Sequence, residues 1–177
     1  MLLFSDRSLL TMVHGLVLSG GAMMAMAAAL FALQAMALPD RTPVPERQGR
    51  FFARLSVGVA VLLWLSVLGG TYLVFPLYRA TPPEGVASLA AYPRALLLSN
   101  TDTSWLHAFA MEVKEHVPWI AAMLATAVAF VSTRYRATLL ADRSLRGMAT
   151  TLMLIGFALV SFVALLGVFV NKIAPLE

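Results

Sequence analysis

The chain has 177 residues, of which 60% are hydrophobic and only 12% charged, with a net charge of +4 and a mean hydropathy of +0.82. A water-soluble domain carries about 25% charged residues, so a soluble globular fold is excluded and the apolar excess must face lipid. The absence of cysteine excludes disulfides, thiolate zinc sites, iron–sulfur clusters and covalently attached c-type haem, and no basic cluster interleaved with aromatics suggests a nucleic-acid interface.

The first apolar segment covers residues 9–38, longer than the roughly 20 residues that cross a bilayer. The small residues Ala35 and Ala37 resemble a signal-peptide cleavage site. A signal peptide has an apolar region of only about 7–15 residues, however, and Asp6 sits beside Arg7, so the segment reads as a retained span. Pro39, Pro43 and Pro45 stop it. The second span covers 53–78, with Gly69-Gly70 marking a close helix contact and Pro76 placed to bend the outer end. The connection over 80–104 is the longest, and a short interfacial helix is predicted over 86–98. Asp102 and Thr103 are placed to cap the third span, 105–132, in which Pro118 can bend the helix. A polar connection over 133–146 leads to the fourth span, 147–170, where Gly156 and Gly167 mark further close contacts. The ten methionines read as soft packing residues, and Trp105, Trp119, Tyr78 and Tyr92 as interfacial anchors or packing groups. The expected fold is an all-α integral membrane protein: one up-and-down four-helix domain over 1–177, with one longer outer loop between helices 2 and 3.

Orientation follows from arginine and lysine. Arg41, Arg47, Arg50, Arg54, Arg134, Arg136, Arg143 and Arg146 flank one side, against Arg7, Arg79, Arg94, Lys114 and Lys172 on the other. The richer side is expected to be cytoplasmic. The protein would then be a multi-pass protein of a cell membrane, such as a bacterial inner membrane, with both termini outside. All three histidines, His14, His107 and His116, fall toward the outer side.

Ionisable residues at membrane depth are costly and by default mark a functional site, and the third span opens with a run of them. On that helix His107, Met111, Lys114 and Glu115 share one face, while Glu112 and His116, four apart, share another. His107 and His116 point to opposite sides, so one helix cannot supply both as ligands of one ion. A b-type haem would need histidines from two spans. At 1.5 Å per residue, His14 lies about 36 Å and His107 about 39 Å from the inner ends of their helices, against about 26 Å for His116. His14 therefore matches His107 in height, and His116 is the weaker partner. Gly21, Ala25 and Ala28, on the His14 face, form a small-residue stripe that suits a porphyrin edge or tight helix contact. Alternatively, the cluster is a quinol or proton-handling site, with His116 and Glu112 bonding a quinol hydroxyl and Glu112 or Glu115 acting as base. A purely structural role competes with both: Glu115 could pair with Lys172 or Arg79 and fix helix register.

No phosphate loop, nucleophile elbow, zinc-protease helix or dinucleotide fingerprint is present, and no soluble catalytic domain is evident. The expectation is an integral-membrane subunit of a larger electron-transfer complex, binding haem b or quinone and partnered by lipid and other membrane subunits rather than nucleic acid. A non-catalytic accessory subunit is one alternative, and a small transporter or sensor another. The four-helix membrane cytochromes share this architecture, an analogy of shape alone.

Overall fold

A computed structural model describes residues 5–38 and 43–175. Residues 39–42, with the predicted stop at Pro39 and the topological charge Arg41, lie outside the described residues, as do 1–4 and 176–177. In chain order the elements are α1 (Asp6–Ala37), α2 (Glu46–Tyr78), α3 (Pro93–Leu98), α4 (Thr101–Arg134), α5 (Arg136–Ala141) and α6 (Arg143–Ile173). Among the described residues there is no strand. Four helices, α1, α2, α4 and α6, are long and apolar enough to cross a membrane.

The long helices begin earlier than the apolar windows because polar caps, rather than hydropathy, set their starts. Ser5 Oγ accepts from Ser8 N at 3.1 Å, and Asp142 Oδ1 from Ser144 N at 2.7 Å. The cap of α4 is not Asp102 or Thr103, as the sequence suggested, but Asn100, whose Oδ1 accepts from Asp102 N at 2.8 Å. Thr103 instead donates its hydroxyl back to the carbonyls of Leu97 (2.8 Å) and Asn100 (3.2 Å), tying α3 to α4. At the far end of α1, Leu38 has extended backbone (φ −63°, ψ 135°), the conformation that a following proline imposes. The interfacial helix predicted over 86–98 is confined to Pro93–Leu98. Upstream of it, Pro82, Pro83 and a left-handed Gly85 (φ 75°) hold the chain in turns.

The long helices form a ring, α1 against α2, α2 against α4, α4 against α6, and α6 back against α1. Successive members run antiparallel: Ser19 in the first half of α1 meets Ser66 in the second half of α2, and Glu46 at the start of α2 meets Arg136 beyond the end of α4. The core is built from Ala22, Met26, Ala29 and Leu33 of α1, Phe52, Val59 and Leu63 of α2, Ala121, Ala122 and Ala125 of α4, and Ala149, Met153 and Val160 of α6. Alanines and glycines let the backbones approach. A Cβ at Gly156 would stand 3.0 Å from Met26 Cε, so that methionine fills the space the glycine leaves. Outward-facing positions carry large apolar side chains instead, among them Leu16 (71% exposed), Met24 (77%) and Phe31 (69%). An apolar exterior of this extent fits a lipid solvent.

The end of the bundle near α5 is tightly joined. Arg136 Nε donates to Glu46 Oε1 at 2.7 Å, and a Cβ at Gly49 would stand 3.0 Å from both Leu140 methyls. The buried Arg146 donates through Nη1 to the carbonyls of Leu139 (3.0 Å) and Leu140 (2.6 Å). It thereby occupies backbone acceptors that the last turn of α5 cannot satisfy itself.

Candidate functional site

At the opposite end three of the long helices widen into π-helical turns, over Val13–Gly20 in α1, Gly70–Val74 in α2 and Leu106–Met111 in α4. Such turns are rare and frequently accompany functional sites. His14 lies in the first and His107 in the third. In α1 the wide turn also changes which side chains face inward. Continuing from His14 with ordinary helical spacing gives Gly21, Ala25 and Ala28, yet the buried residues are Ala22, Met26 and Ala29, and Ala28 is exposed. The extra residue in the π turn moves the inward face on by one position. The Gly21, Ala25 and Ala28 stripe therefore does not line a slot beside His14.

His14 is half-buried between α1 and α2. Its Nδ1 is 3.5 Å from Ser66 Oγ, which in turn lies 2.8 Å from Ser19 Oγ. The Ser19 hydroxyl donates to the His14 carbonyl at 2.9 Å, occupying an acceptor that the π turn frees. The imidazole rests against Gly70, where an added Cβ would stand 2.7 Å from Cε1 and 3.2 Å from Nε2. Lys114, on α4, is within electrostatic range of His14. Its Nζ is 2.9 Å from the position of a Gly167 Cβ on α6. Among the described residues Lys114 has neither a hydrogen bond nor an ion pair. Each of the four long helices thus contributes to one polar layer, with a glycine seating each cationic or titratable side chain.

A second group lies where the end of α2 meets the start of α4. The buried Tyr78 hydroxyl is 2.8 Å from His107 Nδ1, and the two rings are 6.0 Å apart. Tyr78 is therefore a packing residue bonded to histidine, one of the two roles its sequence position allowed. Arg94 of α3 and Glu115 of α4 are within electrostatic range of both rings, and Arg94 Nε is buried without a hydrogen-bond partner. Arg79 stacks its guanidinium over Phe75, 5.4 Å from the ring centroid.

Glu112 and His116 do contact each other, as their spacing predicts. His116 Nδ1 is 2.8 Å from the Glu112 carbonyl and 3.8 Å from its carboxylate. Both side chains point away from the bundle, 65% and 72% exposed, so His116 shares no site with His14. The pairing of Glu115 with Lys172 or Arg79 is not formed. The ion pairs among the described residues are Arg50–Glu46, Arg136–Glu46 and His116–Glu112, while Lys172 and Arg79 are exposed.

A bis-histidine haem needs ring nitrogens from two helices turned toward one slot. His14 sets the nitrogen-bearing edge of its ring against Gly70 and Ser66, and His107 bonds Tyr78. This geometry does not fit a haem between them. Nor do three or more histidine and carboxylate side chains converge as metal ligands among the described residues. An apolar groove of about 410 Å³ adjoins the His14 layer, lined by Leu18 of α1 and Leu65, Leu68, Gly69, Tyr72 and Leu73 of α2.

Sequence reasoning singled out His14, His107 and Lys114 by their charge at membrane depth, and Gly70 as a close contact. It missed Ser19, Ser66 and the role of Arg94. Serines are common in membrane helices, and Arg94 carried only a topological signal. Compared with known protein families, with curated proteins and with solved structures, the chain matches none.

Proposed function

We propose that the chain is an integral-membrane subunit of an electron-transfer complex, and that the His14–Lys114 layer receives the head group of a quinone or quinol. The observation that carries this reading is Lys114. Lys114 is half-buried among the helices; holding an ammonium there without an acceptor is costly, and no acidic residue among the described residues pairs with it. A structural ion pair would have spared that cost, whereas a ligand bearing acceptor oxygens removes it on binding.

Quinones exchange two electrons and two protons at their ring oxygens. Lys114 would donate a hydrogen bond to one such oxygen, and charge-assisted bonds of this kind are the strong ones. His14, held by Ser66 and Gly70, would bond the quinone's other ring oxygen through an imidazole nitrogen, which can accept or donate a proton. The Leu18–Leu73 groove beside Gly69 offers an apolar bed for an isoprenoid tail. His107, Tyr78 and Glu115, which adjoin Arg94 of the 80–104 connection, would pass protons toward water, while the permanently charged Arg94 only biases their path. By the arginine and lysine bias, this end faces the outer side. The outward Glu112–His116 pair favours a second role, contact with the partner subunits of the same complex.

The test is quinone retention by the protein purified in mild detergent, measured by extraction and chromatography for wild type and Lys114→Met. Methionine keeps the stem and removes the charge. Retention is expected to fall at least about tenfold, the worth of a hydrogen bond to a charged group, while thermal stability holds or rises. Equal retention by the two proteins, or none by wild type, would overturn the reading.

A further inference from the structure

The other end of the bundle carries a groove of a different kind. It has a volume of about 380 Å³ and is lined by Arg50, Ala53, Arg54, Val57, Thr133 and Arg136. Three arginines therefore line one open groove, and a single carboxylate, Glu46, pairs with two of them. Glu46 Oε1 takes Arg136 Nε at 2.7 Å and Arg50 Nη1 at 3.8 Å. Among the described residues Arg54 has no hydrogen bond or ion pair, and Arg136 uses only its Nε. The groove thus keeps a positive excess and free donors.

Two further observations shape what it fits. The guanidinium of Arg136 is positioned rather than loose. Its Cγ would lie 3.1 Å from a Cβ at Gly49, so its stem is pressed onto α2, and the bond to Glu46 fixes its head. One turn beyond Arg54, toward the middle of the bundle, the lining turns apolar at Val57, which is 41% exposed. A charged rim over an apolar wall, at the level where a membrane helix ends, matches an amphiphile with a phosphate head and acyl tails. Basic pockets between membrane helices on the cytoplasmic side bind anionic head groups in this manner, and guanidinium forks suit phosphate oxygens.

We propose that the Arg50–Arg54–Arg136 groove is a binding site for the phosphate of an anionic phospholipid, whose acyl chains run from the arginines along Val57. The site is independent of the quinone reading and lies at the opposite end of the bundle.

The experiment is native mass spectrometry of the whole chain in detergent, titrated with phosphatidylglycerol, with phosphatidylcholine and with inorganic phosphate. Phosphatidylglycerol is expected to stay bound where the other two do not. Arg54→Gln should weaken it about fivefold, the double change Arg50→Gln/Arg54→Gln by about 25-fold, at about one surface-charge interaction per arginine. Arg47→Gln removes the same charge from the same end, outside the groove, and should leave binding unchanged. Arg54 has no partner to lose, so its substitution does not threaten the fold. Equal binding of the two lipids, or equal weakening by Arg47→Gln and Arg54→Gln, would overturn the site. Inorganic phosphate binding as tightly as the lipid would assign the groove to a free anion and overturn the lipid source.

Discussion

At Gly70 an added Cβ would stand 2.7 Å from the Cε1 of His14, and at Gly167 it would stand 2.9 Å from the Nζ of Lys114. The two distances are similar, yet the consequences differ. Lys114 meets Gly167 with the end of a flexible chain that can swing aside. His14 meets Gly70 with a rigid ring already engaged by Ser66. Overpacking costs about 1–3 kcal/mol where the neighbours cannot yield, while alanine gains up to about 1 kcal/mol over glycine inside a helix. Gly167→Ala is therefore expected to be neutral or slightly stabilising in thermal unfolding. Gly70→Ala should lose about 1–2 kcal/mol and displace the imidazole, which a histidine-selective NMR spectrum would register. At this scale the sequence was partly legible. Ionisable residues stand out against an apolar background, so His14, His107 and Lys114 could be named. Their neighbours Ser19 and Ser66 could not, because a serine bonded to a backbone carbonyl looks the same in sequence as one bonded to a ligand.

At the scale of the helix, the π turn in α1 determines what His14 can reach. Periodicity assumes a constant number of residues per turn, so a pattern read from His14 carries forward to Gly21, Ala25 and Ala28. The wide turn over Val13–Gly20 instead delivers Ala22, Met26 and Ala29 to the core. Nothing in the residue types of that segment announces the extra residue, which is why Ala28 faces outward while Gly21 and Ala25 still serve helix contact, the stripe's other reading. Cap positions were legible to within a few residues, since Asn100, rather than Asp102, takes the free amide. The bulge also makes a direct test possible. Deleting Leu16 would relax the turn to an ordinary helix. The core register of 22–37 would be kept, while His14 would rotate by about 100° around the axis. Circular dichroism should report an unchanged melting profile, and quinone retention should fall as far as in Lys114→Met. A deletion variant that keeps its ligand would mean that His14 does not contribute to the site.

For the molecule as a whole, composition was enough to give the class. Few charges and long apolar runs already require four helices of membrane length, and the ring of α1, α2, α4 and α6 follows from their antiparallel succession. Orientation rests on arginine and lysine alone. Because the chain has no cysteine, single introduced thiols report sidedness cleanly. In right-side-out vesicles Ala87→Cys should react with an impermeant maleimide, and Arg47→Cys should react only after the membrane is opened. The reverse pattern would turn the protein over and place the His14 layer on the cytoplasmic side.

The buried guanidinium of Arg146 adds a mechanical consequence. By holding the Leu139 and Leu140 carbonyls, it makes α5 and the first turns of α6 one stiff corner, and the Arg136–Glu46 bond braces α2 against that corner. Any rocking of the long helices is then expected to pivot at this corner and to grow with distance from it. Rocking is therefore expected to be larger at the far ends, reaching the His14–Lys114 layer and, beyond it, the Tyr78–His107 bond.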